Sequence, residues 1–116
     1  MYEYAARVVR VVDGDTVDVD IDLGFSIIMK KQRIRMYGIN APESRTKDLE
    51  EKERGLKAKE YLKTLLEVES VVLQTHLDDR GKFGRILGTF IVELDGESVN
   101  VNETMVATGH AVEFMK

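Results

Sequence analysis

The chain has no cysteine, and only one proline, Pro42, among its 116 residues. Without cysteine it forms no disulfide and offers no thiolate to a metal, which fits a reducing compartment. No apolar run approaches the roughly 20 residues that span a bilayer, so no membrane partner is expected. The opening stretch "MYEYAARVVR" lacks a basic leader and an apolar segment, so it is not a signal peptide. As written, the chain is expected in the cytoplasm, or outside the cell if a leader has been removed. Repeats, low-complexity tracts and linkers are also missing, and the length suits one domain over 1–116.

What is present is ordinary for a globular domain. Hydrophobic residues make up 43% and charged residues 33%, enough for one core without staples. The net charge of −4 is not the overall footprint of a nucleic-acid binder. The charges are segregated, however. Lys30, Lys31, Arg33 and Arg35 cluster, as do Arg80, Lys82 and Arg85, while acids gather in "DGDTVDVDID" and "DLEEKE". Local basic patches therefore sit on an acidic body.

The β-branched run "YAARVVRVV" predicts a first strand, broken at "DGDT" by a tight turn in which Gly14 is free to take positive φ. Asp13 reads there as a turn residue bonding its own backbone. "TVDVDIDLGF" alternates strictly. Val17, Val19, Ile21 and Leu23 face the core; Asp18, Asp20 and Asp22 form a solvated face rather than a metal site. Gly24 turns the chain into a third strand, "IIMKKQRIRMYGI". "SRTKDLEEKERG" is polar and loop-like, and "LKAKEYLKTLLEVE" places Ala58, Tyr61, Leu62, Leu65 and Leu66 at helical spacing. "SVVLQTHL" and "RILGTFIVEL" are further strands, followed by an Asp95–Gly96 hairpin turn. "NETMVATG" predicts a short helix with Asn102 as N-cap and Gly109 as its stop. The fold class is mainly β with helices: a five-stranded OB-fold barrel, one longer helix between strands 3 and 4, and a short C-terminal helix.

Three polar segments fall at strand ends: "DGDT", "RMYGINAPE" and "KFGR". In barrel order they can meet at one mouth, bringing Asp13, Asp15, Asn40 and Glu43 to Arg35, Lys82 and Arg85. Carboxylate and amide oxygens hold a hard cation such as Ca²⁺. Paired arginines grip a phosphate and neutralise charge that builds during displacement. A further carboxylate can activate water. That combination is the equipment of phosphodiester hydrolysis. Pro42 fixes its own φ and stiffens the turn that carries Glu43. His76 and His110 have no evident third ligand and read as structural or surface residues.

Taken in order, "VVDGDTV", "RIRMYGINAPE", an amphipathic helix, "DDRGKFGRILG" and "SVNVNETMVATGHA" make the chain resemble the staphylococcal nuclease (thermonuclease-like) family from about Val8 to Ala111. The resemblance implies a Ca²⁺-dependent nuclease acting on DNA and RNA and leaving a 3′-phosphate and a 5′-hydroxyl. It also implies roles. Asp15 and the Ala41 carbonyl match metal ligands, and Asn40 occupies the place of a second metal-binding aspartate. Arg35 and Arg85 match the catalytic arginines, Glu43 the glutamate that activates water, and Lys82 a lysine beside the bound nucleotide.

Two departures qualify the match. Asn40 removes one negative charge, which lowers the expected affinity for Ca²⁺ and admits another divalent cation. Members that continue into further aromatic residues and a helix have no counterpart here after "VEFMK", so Phe114 supplies what aromatic wall there is. The second reading is a catalytically weakened domain that binds nucleic acid or protein. An OB groove suits single strands, and a monomer is the default state.

Overall fold

A computed structural model describes residues 2–76 and 86–114. Its elements are β1 (Tyr2–Asp13), β2 (Thr16–Gly24), β3 (Ile27–Met36), β4 (Ile39–Asn40), α1 (Leu49–Leu66), β5 (Val71–Thr75), β6 (Ile86–Leu94), β7 (Glu97–Asn100), α2 (Val101–Ala107) and β8 (Val112–Glu113). The main sheet runs β3-β2-β1-β5-β6-β7, and β6 pairs back onto β3 in parallel through Ile34–Ile86, Arg35–Leu87 and Met36–Gly88. Five strands thus close into a ring, the expected OB-like barrel, with α1 between its third and fourth strands. The additional β4–β8 ribbon was not foreseen.

The alternating residues of β2 and β3 fill the ring. Val17, Val19, Ile34 and Met36 are almost wholly buried with Leu73, Phe90 and Val92. The helix lays Ala58, Leu62, Leu65 and Leu66 on this core, as its spacing predicts. It starts at Leu49, well before the expected apolar stretch. Asp48 caps it, its carboxylate accepting from the amides of Glu50 (3.1 Å) and Glu51 (3.2 Å). Acids in the first turn suit the positive end of the helix dipole. The polar segment was therefore helix entry rather than loop.

Asn100, not Asn102, caps α2, its Oδ1 accepting from the Glu103 amide at 3.0 Å. Asn102 is instead buried as a clamp. Its carbonyl oxygen accepts from the Phe90 amide, and its Nδ2 donates to the Tyr37 and Gly88 carbonyls. It thereby ties α2 to both strands at the ring closure. Gly109, at φ +81, ends the helix as expected.

Gly14 is not at positive φ. It matters because of what lies above it: a Cβ there would come 2.7 Å from the Ala58 Cβ and 3.0 Å from the Ala41 Cβ. Gly55 is tighter still. A Cβ on this helical residue would fall 2.3 Å from the Glu43 carbonyl oxygen. The 41–44 loop rests its backbone directly on α1.

Of the three aspartates of β2 only Asp22 is the solvated residue that the alternation predicts; Asp18 and Asp20 are engaged. Arg33 holds Asp18 in a fork, with bonds of 2.8 and 3.1 Å. Asp20 is buried; it accepts from the Lys31 amide at 2.9 Å and meets Arg7 at 3.4 Å. A β-bulge makes this possible: Lys30 and Lys31 together oppose Asp20, between the pairs Val19–Gln32 and Ile21–Met29. Only Asp22 stays exposed, together with Leu23, because the hairpin runs on past the barrel.

Two outcomes follow from this packing. Gly55→Ala should destabilise the fold by roughly 1–3 kcal/mol, the usual cost of overpacking, read as a lower urea midpoint. The acid limb should be set by the β2 aspartates. The Arg33 hydrogen bond lowers the pKa of Asp18, and the Lys31 amide and then Arg7 lower that of Asp20. Both groups favour the folded state above the ordinary carboxylate range of about 4. That contribution is lost as pH falls through their depressed folded values. Urea midpoints between neutral pH and about pH 3 should drop less steeply for Asp18→Asn than for the parent.

Candidate active site

The β1–β2 turn supplies two carboxylates with different tasks. Asp13 does not bond its own turn. Its Oδ1 accepts from the Ser44 amide at 3.2 Å and from the Ser44 hydroxyl. This holds the loop immediately after Glu43. Asp15 is buried at 7% exposure. Its Oδ2 accepts from the Ala41 amide at 2.8 Å and its Oδ1 from the Thr16 hydroxyl at 2.9 Å. One turn thus holds the loop at both ends, with Gly14 between the two acids making room for it.

Arg35 leans into the same corner. Its Nη1 lies 3.7 Å from Asp15 Oδ2 and donates to the Met36 carbonyl at 3.0 Å. Its Nη2 donates to the Asn40 side-chain oxygen at 3.2 Å. The guanidinium carbon stands 5.9 Å from the centre of the Phe114 ring, in cation–π range. β8 brings Phe114 there by pairing with β4, and the Phe114 amide donates to the Gly38 carbonyl at 2.8 Å.

Glu43 is exposed, and its position is fixed through its backbone rather than its carboxylate. Its amide donates to Glu51 Oε2 at 3.2 Å, and its carbonyl sits over Gly55. Glu51 was missed in the sequence. The spacing Asp48-x-x-Glu51 is that of a capping box, in which the glutamate reaches back to the cap. Here it reaches across to the loop instead. Arg54 shares a groove with Asn40, Ala41 and Pro42, and was missed as well.

Asp15, Arg35, Asn40, Ala41 and Glu43 are therefore brought together by one turn, one strand end and one loop. Lys82 and Arg85 lie outside the described residues. The hard oxygens in this corner are the Asp15 carboxylate and the Asn40 amide, which also accept the bonds already described. They fit Ca²⁺ or Mg²⁺ by chemistry, with one formal negative charge and water completing the shell. No group of three or more acidic, histidine or cysteine side chains that could hold a metal occurs among the described residues.

Both histidines are structural. His76 stacks on Tyr37 at 4.0 Å and shares a hydrogen bond of 2.9 Å with the Thr89 hydroxyl. Burial lowers its pKa. His110 stacks on Tyr61 at 4.1 Å.

Residues 33–116 match the family model described as staphylococcal nuclease homologue. Over 97% of its length the chain is 33% identical to endonuclease YhcR of Bacillus subtilis, of which it spans 9%. It is 32% identical to the thermonuclease of Staphylococcus hyicus over 73% of the chain and 47% of that protein. It is 37% identical to an uncharacterised endonuclease of Escherichia coli over 90% of the chain and 58% of that protein. No more than about three-fifths of any of these relatives is spanned. Among the described residues no helix is long and apolar enough to cross a membrane. With the family model covering well over half of it, the chain belongs to the staphylococcal nuclease homologues.

Proposed function

We propose that this domain is a metal-dependent nuclease that hydrolyses the phosphodiester bonds of DNA and RNA. The observation that carries the reading is the Asp15–Arg35–Asn40 cluster. A phosphate-binding cation and two hard oxygen donors are held in one corner, and the loop bearing Glu43 is clamped beside them.

In this reading Arg35 binds a non-bridging oxygen of the scissile phosphate and offsets the charge that grows there during attack. Its bond to Asn40 and its approach to Asp15 hold the fork in a set direction, so little reorganisation is needed. The exposed Glu43 carboxylate accepts a proton from the attacking water. Its backbone is fixed by Glu51 and Gly55 and, through the neighbouring Ser44, by Asp13, which favours a repeatable line of attack. By the resemblance, Arg85 would join Arg35 in stabilising that charge, and Lys82 would lie near the bound nucleotide. Asp15, Asn40 and the Ala41 carbonyl would hold a divalent cation, most simply Ca²⁺, which supplies Lewis-acid polarisation of the phosphate.

Heat-denatured DNA incubated with Ca²⁺, with Mn²⁺ or Mg²⁺, and with chelator tests the assignment. Cleavage should need a divalent ion, and Glu43→Gln should lower kcat by about 10²–10⁴, the usual contribution of a general base, with binding little changed. A Glu43→Gln enzyme as fast as the parent would remove Glu43 from its role. Strand retention without cleavage under every metal would instead support a nucleic-acid-binding domain, with Asn40 as the weakened ligand. Asn40→Asp restores a charge to the donor set and should tighten Ca²⁺ binding in a calorimetric titration; unchanged affinity would place the cation elsewhere.

A further inference from the structure

The β2–β3 hairpin runs beyond the barrel and ends in the segment "LGFSIIM". Leu23, Phe25, Ile27, Ile28 and Met29 are all exposed there, and Phe25 is 98% exposed. Phe25 and Ser26 form the two-residue turn between the paired residues Gly24 and Ile27, at φ +54 and +64. Such a turn favours Asn and Gly, which tolerate left-handed backbone. A phenylalanine in this conformation is uncommon, and one fully in water gains nothing from burial. Folding gives no reason for it. The fold accepts strain and exposure together at one residue.

The strand behind the tip is basic. Lys30 and Lys31 sit at the bulge, Arg33 follows, and Arg35 at the candidate site ends the run. β1 adds Arg7 and Arg10, opposite Asp20 and Asp18. β1 also carries Glu3 and Asp13, but within the hairpin from Thr16 to Met36 four cations stand against three aspartates. From Ile27 to Arg35 the strand spans roughly 26 Å at about 3.3 Å per residue.

We propose that this hairpin is a second binding element for a single-stranded polynucleotide. Phe25 stacks on an unpaired base, and Lys30, Lys31 and Arg33 follow the backbone between the tip and the site. The proposal rests on the nuclease reading for the direction of the strand. Charge favours this occupant over the alternatives. A second copy would bring the same cations face to face, and five side chains at a hairpin tip fall short of the about 800 Å² per partner that a stable dimer buries. An anionic membrane is the alternative that the vesicle measurement separates.

The test compares the parent with Phe25→Asn and Lys30→Ala. Binding is read in chelator by fluorescence anisotropy of a labelled single strand of about 20 nucleotides, longer than the roughly 4–16 that one OB-fold covers. Phe25→Asn should weaken binding about tenfold, within the range for loss of one stacked base. It should also raise the melting temperature, because asparagine suits the turn; a structural role for Phe25 predicts a fall instead. Lys30→Ala should lower the salt slope by about 0.7, one phosphate contact on a single strand. Hydrolysis of bis(p-nitrophenyl) phosphate, too small to reach the tip, should be unchanged in both variants. Parental affinity for the long strand in both variants overturns the proposal, as does a parent that does not bind it. So does a Phe25→Asn effect confined to self-association in sedimentation, or to binding of anionic vesicles. If the long strand is bound through Phe25 but never cut, the hairpin stands and the nuclease reading fails.

Discussion

The site depends on the grip of one turn on one loop. Asp13 and Asp15 flank Gly14 and bond Ser44 and Ala41, either side of Pro42 and Glu43. The grip works because side chains are missing at two places. Without a Cβ at Gly14, the turn approaches Ala41 and Ala58; without one at Gly55, the helix takes the loop backbone flat against it. A short loop carrying an exposed carboxylate would otherwise sample many positions. Here the backbone amides of Ala41, Glu43 and Ser44 are taken by Asp15, Glu51 and Asp13, so the attachment of the carboxylate is held while the carboxylate itself is left unengaged.

Electrostatics on the outer face of β1–β3 follow from the same economy. The carboxylates of Asp18 and Asp20 are each set between cations on the flanking strands, and the bulge at Lys30–Lys31 turns a backbone amide onto Asp20. Bidentate pairing makes Arg33–Asp18 more than a casual surface contact, whereas Arg7–Asp20 is long and Arg7 is largely in water. The negative net charge of the chain is therefore a poor guide to the field near the site, because these aspartates are locally matched and other acids lie elsewhere.

Period-two patterning made the strands legible, and Asp95–Gly96 and Gly109 announced their turns with residues suited to positive φ. The ordered motifs made the family legible as well, and they pointed to Asp15, Arg35 and Asn40, which lie together. What stayed hidden depends on contacts between distant segments. Asn102 looked like a cap because its neighbours are polar, and only the packed strands turn it into a buried clamp. Asp18, Asp20 and Asp22 alternate as a solvated face does, and nothing local says that cations lie opposite. Gly14 reads as a flexible turn residue, although its service is to leave space. Glu51 carried a visible signal in its spacing from Asp48, but its partner, the Glu43 amide, could be found only in three dimensions.

The ring closes where β3 meets β6 along a short parallel stretch, reinforced by Asn102 and the bond from the Tyr37 amide to the Gly88 carbonyl at 2.7 Å. Residues far apart in sequence must meet before that junction exists, and such long-range parallel pairing is slow to form. Arg35 lies within it, while its counterparts Asp15 and Ala41 arrive from a turn and a loop that need the barrel and α1 as their floor. No fragment of the chain can assemble this corner early. A nascent chain that stops short of β6 would hold Asp15, Arg35 and Asn40 without their arrangement, so the corner exists only once the ring has closed.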